Sequence, residues 1–358
     1  MLDISRNRIL VAATSGLALL GVGQAPASAA PLPMPQVVAS GLNGPFSVAY
    51  GQGKLYVAES GAGQVSAVDL ASGAKSVVVG DLNGPSGVAA VGSGLLAVIT
   101  GGSQVPDAGT YNGGASIFTV RDGRATLVAD LQAYELANNP DGQPQFDADG
   151  VPLDALSNPY SIAAGRGQTL ALVADAGANA VLAISRSGEV STFFVPPLVT
   201  SGACAFVPNN DPTQLGCDSV PTGVAYGPGG TVWVSTASAL LPGQGRVYVL
   251  DGRTRAVIRT ITGLSAPTGL AVAADGTAYV SEVLFNLSED PGLDPADVGR
   301  VVRIAPSGAQ STAAVTMPTG LAWHGGTLYS TAWSVAGLFL GIPDAGQVVT
   351  VPAGAFTT

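Results

Sequence analysis

Glu59, Asp175 and Glu282 are the acids whose spacing could do chemistry. Each ends a β-rich run: Leu55-Tyr56-Val57-Ala58-Glu59, Leu172-Val173-Ala174-Asp175 and Ala278-Tyr279-Val280-Ser281-Glu282. Asn158, like Asn43 and Asn83, opens a neighbouring segment. Carboxylates and amide oxygens gathered around one point would hold a hard divalent cation such as Ca²⁺. The same acids have a second reading, which we expect to dominate. An acid at a strand end ties down the following loop by accepting backbone N–H bonds. General acid/base work by these three has no further motif behind it. The chain has one histidine, His324, in a turn-like segment. That excludes a multi-His metal centre and a Ser-His-Asp triad. The densest acidic stretch, residues 138–154, contains Asp147-Ala148-Asp149-Gly150, the opening of a calcium loop. The remaining ligand spacing and the closing Glu are missing, so a solvated, turn-rich loop is expected there.

The elements that position these residues repeat. Six segments share one phrase: Gly44-Pro45-Phe46-Ser47-Val48-Ala49, Gly84-Pro85-Ser86-Gly87-Val88-Ala89, Asn158-Pro159-Tyr160-Ser161-Ile162-Ala163, Val220-Pro221-Thr222-Gly223-Val224-Ala225, Ala266-Pro267-Thr268-Gly269-Leu270-Ala271 and Met317-Pro318-Thr319-Gly320-Leu321-Ala322. Each is followed by a turn and further β-branched runs. Recurrence at this period marks a repeat architecture, and four strands in each of six units is a six-bladed β-propeller, an all-β fold. The last unit is one strand short, and residues 36–39 supply a strand ahead of the first phrase. That N-terminal strand is expected to close the last blade and remove an open edge. Aligned on the phrase, the long segments 101–114, 131–157, 196–219, 237–245, 283–299 and 333–346 all fall on one rim of the ring. Long loops in a compact domain are usually functional, so this rim is the expected binding face.

Residues 1–29 form the other region. Arg6 and Arg8 precede an apolar run over residues 9–22, and Ala27-Ser28-Ala29 offers small residues for cleavage. This is a secretory signal peptide, with an apolar core of roughly fourteen residues against the about twenty of a membrane span. The propeller is then residues 30–358, secreted to the extracellular space or the periplasm and cell envelope, with no membrane span. Net charge is −10, from 24 acids against 14 bases, which argues against a nucleic-acid partner. Cys204 and Cys217, the only cysteines, should pair as a disulfide after export and staple their loop.

The run Leu172-Val173-Ala174-Asp175-Ala176-Gly177-Ala178-Asn179-Ala180-Val181 is similar to the NHL repeat, which builds six-bladed propellers. Asn138-Asn139-Pro140-Asp141-Gly142, Ser157-Asn158-Pro159-Tyr160, Val173-Ala174-Asp175-Ala176-Gly177 and Val220-Pro221-Thr222-Gly223-Val224-Ala225-Tyr226-Gly227-Pro228-Gly229-Gly230 together resemble the ScyD/ScyE family of exported propellers. The resemblance implies that fold and export, and no settled reaction. It departs at Ser235-Thr236-Ala237-Ser238-Ala239-Leu240, where the family carries a Glu-containing motif.

The expected function is binding of a small molecule, glycan or protein partner on the loop-rich face, leaning away from catalysis. The alternative is a metal-dependent hydrolase of the gluconolactonase or streptogramin-lyase kind, with its ion in the central funnel held by Glu59, Asp175, Glu282 and Asn158.

Overall fold

The computed structural model describes residues 33–101, 114–153, 156–288, 290 and 292–358. The segment expected to be a signal peptide, most of the 101–114 insertion and Asp154 lie outside the described residues.

Six antiparallel four-stranded sheets form a six-bladed β-propeller. From the channel outward, blade one is Pro45–Gly51, Lys54–Glu59, Gln64–Asp69 and Lys75–Val79, and blade two Pro85–Gly92, Leu95–Thr100, Ser116–Arg121 and Arg124–Asp130. Blade three is Pro159–Ala164, Thr169–Asp175, Ala180–Ser185 and Val190–Phe194, and blade four Pro221–Tyr226, Thr231–Thr236, Gly245–Asp251 and Val257–Leu264. Blade five is Pro267–Val272, Ala278–Glu282, Arg300–Ile304 and Gln310–Ala314. Blade six is Leu321–His324, Thr327–Ala332, Gly346–Val351 and, from the other end of the chain, Gln36–Leu42. That closing strand is longer than the sequence suggests. It pairs Gln36 with Thr350 and Leu42 with Gly346, with two irregularities between.

Burial explains the sequence pattern strand by strand. Second strands are covered on both faces by neighbouring blades and are buried almost throughout, as in Lys54–Glu59 and Leu95–Thr100. They read as continuous apolar runs for that reason. Outer strands such as Lys75–Val79 are largely exposed and tolerate polar residues. The core is divided into layers between blades. Ile99 and Ile117 of blade two pack with Ile162, Leu170 and Val173 of blade three. Val48, Leu55 and Val57 of blade one pack with Leu42, Tyr329 and Val348 of blade six, so closure buries an apolar layer like the others.

The phrase has a physical role. The hydroxyl residue after its proline donates to the carbonyl of the next blade's phrase proline: Ser86 to Pro159 at 2.5 Å, Thr222 to Pro267 at 2.7 Å and Thr268 to Pro318 at 3.2 Å. The glycine that follows permits the close approach. A Cβ at Gly269 would lie 1.9 Å from the Thr319 carbonyl oxygen, and one at Gly320 2.7 Å from the Ser47 Cα. Phe46 and Tyr160 stand in the hydroxyl position in blades one and three.

The strand order puts second-to-third and blade-to-blade connections on one rim. On the opposite rim the longest turns are 70–74, 252–256, 273–277 and 305–309. The loop-rich rim carries residues 131–158, 195–220, 283–299 and 333–345, with helices Leu131–Asn138 and Ala336–Leu340. His324 lies on the opposite rim, exposed and stacked on Tyr50 at 3.3 Å between ring centroids.

Candidate functional site

The three strand-end acids lie where the repeat alignment puts them, as the last residues of second strands in blades one, three and five. All are buried, and protein donors engage both oxygens of each. Glu59 accepts from the Asn43 N–H at 2.8 Å, Gln64 Nε2 at 3.0 Å and Ser66 Oγ at 2.5 Å. Asp175 accepts from the Asn158 N–H at 2.7 Å, the Ala178 N–H at 3.2 Å and Ser157 Oγ at 2.5 Å. Glu282 accepts from the Ser265 N–H at 2.6 Å and pairs with Arg300 Nε at 2.5 Å. Burial pushes the Asp175 and Glu282 carboxyls above the usual range, outweighing their hydrogen bonds. Each acid fastens the entry to its own blade's inner strand. They do not converge: among the described residues no group of three or more His, Cys, Asp or Glu could hold a metal. Asn158 serves this latch through its backbone, donating to Asp175 and accepting from the Ala176 N–H. These residues therefore do not fit a funnel ion. The channel beside them is filled by inner-strand side chains, Phe46 and Tyr160 meeting edge to face at 4.8 Å, around a cavity of about 50 Å³.

A different group assembles on the loop-rich rim, where the sequence suggests only a solvated loop. Asp130 caps the helix Leu131–Asn138 by accepting from the Ala133 N–H at 2.9 Å. Asn139, in the left-handed region at φ 42°, ends it. The Pro140-Asp141-Gly142 turn then brings the chain back over the helix, and Gln145 Nε2 reaches Glu135 Oε1 at 3.0 Å. Gln143 Nε2 donates to Asp218 Oδ1 at 2.6 Å, joining the 131–158 connection to the 195–220 connection. Asn179 Nδ2, from the second-to-third loop of blade three, donates to Asp141 Oδ2 at 2.9 Å. Glu135 is 3% exposed. Burial, aided by the charges of Asp175 and Asp141, pushes its carboxyl up to about 7 against the opposing bond from Gln145.

Two adjoining spaces share Asp141, Gln143 and Asn179 as a common wall. The inner one, about 20 Å³, also meets Glu135, Gln145 and Gly177. The outer one is a cleft of about 170 Å³, completed by Val195, Pro196, Leu198, Gln214, Asp218 and Ser219. The Cys204–Cys217 disulfide forms as expected and staples the loop bearing Gln214 and Asp218. Asp218 Oδ1 accepts from both Gln143 and Asn209, which fixes its carboxylate at the cleft. Asp147 and Asp149, the calcium-loop-like pair, are exposed, and Asp147 Oδ1 caps a turn by accepting from the Asp149 and Val151 N–H groups. A wider opening of about 520 Å³ between blades one and two is lined by one acid, Asp81, and one base, Arg124, with Asn83, Thr100 and Ser116 among apolar and glycine residues.

Comparison with protein-family models finds no match, and comparison with curated proteins finds none. Among solved structures, the calcium-binding protein regucalcin from Agrobacterium tumefaciens is similar at TM-score 0.56 and 12% identity, covering 89% of this chain and 93% of its own. The PQQ-bound aldose sugar dehydrogenase from Streptomyces coelicolor is similar at TM-score 0.55 and 14% identity, covering 88% and 96%. A gluconolactonase from Xanthomonas campestris is similar at TM-score 0.54 and 13% identity, covering 88% and 89%. These likenesses show the fold. They also correct one expectation. The leaning away from catalysis does not stand, because structures sharing the fold over nearly the whole chain include a dehydrogenase and a gluconolactonase. That leaning drew on the loop-fastening reading of the acids and the want of a catalytic motif behind them; the single histidine closes one mechanism and leaves carboxylate chemistry open. The chain is thus a six-bladed β-propeller similar in fold to these proteins.

Proposed function

We propose that the protein is an exported hydrolase that opens a small cyclic ester, of the sugar-lactone class, in the cleft on its loop-rich rim. The observation that carries this reading is the cleft: about 170 Å³, walled by Asp141, Gln143, Asn179, Gln214 and Asp218 and stapled from behind by a disulfide. Drug-sized ligands occupy roughly 300–1,000 Å³, so its occupant is small, and its lining is polar. Asp218, held by two amide donors, is the general base that takes a proton from the attacking water. Asp218 then returns that same proton to the leaving alkoxide as the ring opens, so the step balances on one carboxylate. Gln214, whose amide nitrogen is given to Asp211, offers its amide oxygen to a ring hydroxyl. The reaction needs no ion among the axial acids, whose oxygens are already bonded within the protein.

The segments that resemble ScyD/ScyE proteins include one that builds part of this wall, Asn138-Asn139-Pro140-Asp141-Gly142, while Asn179 lies in the run similar to the NHL repeat. That supports placing the chain near those exported propellers. Export is further supported by the disulfide, and no described helix is long and apolar enough to cross a membrane.

The test is a ring-opening assay on a panel of aldonolactones, followed by proton release, with the mature chain and Asp218→Asn. The reading expects saturable turnover that the variant lowers by about 10²–10⁴-fold. No turnover by the parent chain on any small lactone, or an unchanged rate in the variant, would refute it.

A further inference from the structure

The small cavity adjoining the cleft has an unusual electrostatic composition. Glu135 Oε2, Gln143 Oε1 and Asn179 Oδ1 are buried and have no hydrogen-bond partner. All three residues line this one cavity together with the Asp141 carboxylate. Glu135 is 3% exposed and Asn179 8%. In each case the rest of the group is engaged elsewhere. Gln143 and Asn179 direct their amide nitrogens to Asp218 and Asp141, leaving their carbonyl oxygens unpaired. Glu135 receives Gln145 on Oε1 and keeps Oε2. Turning either amide over would break a bond to a carboxylate and point that carboxylate at an oxygen. No Lys, Arg or His lines the cavity.

Leaving a buried acceptor unpaired costs about 1–3 kcal/mol, and more for a charged one, so three at one point call for an occupant. A cavity of about 20 Å³ admits one water or one ion. A water has two hydrogens to offer against three bare oxygens, and it brings no positive charge to Glu135 and Asp141. A divalent cation satisfies all of them at once. The donors are all hard oxygens, carboxylate and amide carbonyl, which is the Ca²⁺ set; Mg²⁺ keeps more of its water and is less often held by an all-protein cage.

We propose that this cavity is a Ca²⁺ site, formed by the unpaired oxygens of Glu135, Gln143 and Asn179 with the Asp141 carboxylate alongside, separate from the central funnel. Because Asp141, Gln143 and Asn179 are also the wall of the outer cleft, the ion fixes that wall and couples cation binding to the order of the rim. The proposal shares its residues with the hydrolase reading and stands apart from it in its test, which uses no substrate.

The mature chain is stripped with a chelator, dialysed, and titrated with CaCl₂ by calorimetry and thermal melting, alongside Glu135→Gln. Asp344→Asn, an exposed acid on a different rim loop, controls for general charge effects. The expected result is one ion per chain with a Kd of about 10⁻⁵–10⁻³ M. Saturating Ca²⁺ should raise Tm by roughly 3–6 °C, Mg²⁺ should raise it less, and Asp344→Asn should match the parent. Glu135→Gln should weaken binding at least about tenfold. No saturable heat and no Tm shift in the parent chain, as with a water-filled cavity, overturns the site, and so does unaltered binding in Glu135→Gln. If that variant fails to fold, the parent stoichiometry and its Ca²⁺ over Mg²⁺ preference decide alone. Ca²⁺ binding without lactone turnover refutes the hydrolase reading only; turnover without Ca²⁺ binding refutes this one only.

Discussion

Thr319 Oγ1 of blade six donates to the carbonyl of Pro45 in blade one at 3.2 Å, across 274 positions of sequence. This is the ring-closing member of the series made by Ser86, Thr222 and Thr268. Thr319 is 2% exposed and also bonds Thr331 Oγ1 at 3.0 Å. Thr319→Val keeps the shape and removes the hydroxyl, leaving buried acceptors short of a donor. We expect a loss of about 1–3 kcal/mol by urea unfolding, with the native far-UV spectrum retained. An unchanged midpoint would mean that the inter-blade hydroxyls contribute nothing to closure.

Closure also depends on the strand Gln36–Leu42. Leu42 is fully buried and packs with Ala39, Val48, Tyr329 and Val348. Leu42→Ala should destabilise by about 2–5 kcal/mol. Removing residues 33–42 should uncover the edge of Gly346–Val351 and promote association between chains, read by light scattering. A monodisperse, equally stable truncation would contradict this latch.

The disulfide acts on the rim and leaves the ring alone. Cys204 and Cys217 are 13 positions apart, so the loop-closure term is about 3 kcal/mol at most. Cys204→Ser should lower Tm modestly and leave the sheet spectrum intact, while weakening lactone turnover because Asp218 is adjacent to Cys217. Global unfolding of that variant would show that the loop supports the propeller itself.

Two axial acids set a pH dependence. The folded values of Asp175 and Glu282 lie above the ordinary 3.8 and 4.5, raised chiefly by burial. Protonation therefore favours the folded state. The stability they lend is fully present below those ordinary values and is lost as pH rises through the folded ones. Asp69, Asp211, Asp251 and Asp275 are held low by turn hydrogen bonds and act oppositely, losing their contribution as pH falls. In Asp175→Asn the fall in Tm as pH rises above the ordinary carboxylate range should be shallower than in the parent. Parallel curves would mean that Asp175 titrates as an ordinary carboxylate.

Much of the fold was legible because the repeat is local. The phrase proline, the β-branched runs and the strand-end acids recur with fixed neighbours, so Glu59, Asp175 and Glu282 could be placed without coordinates. The closing strand was legible from a missing strand at one end and a spare one at the other. The rim site was not. Glu135, Gln143, Asn179 and Asp218 come from three different connections, and only the folded chain shows that two amides beside one cavity keep an unpaired oxygen. One signal was present: Asp130 ahead of Leu131, with Asn139-Pro140 after it, marks a helix start and stop inside what otherwise reads as a turn-rich loop.

The most direct comparison is lactone turnover per folded molecule in Asp218→Asn and Glu59→Gln, one change on the rim and one beside the channel. A working site on the rim predicts a loss of about 10²–10⁴-fold in Asp218→Asn and a kcat within about twofold of the parent in Glu59→Gln. Loss of turnover in Glu59→Gln with full activity in Asp218→Asn would return the chemistry to the central funnel and contradict the rim assignment.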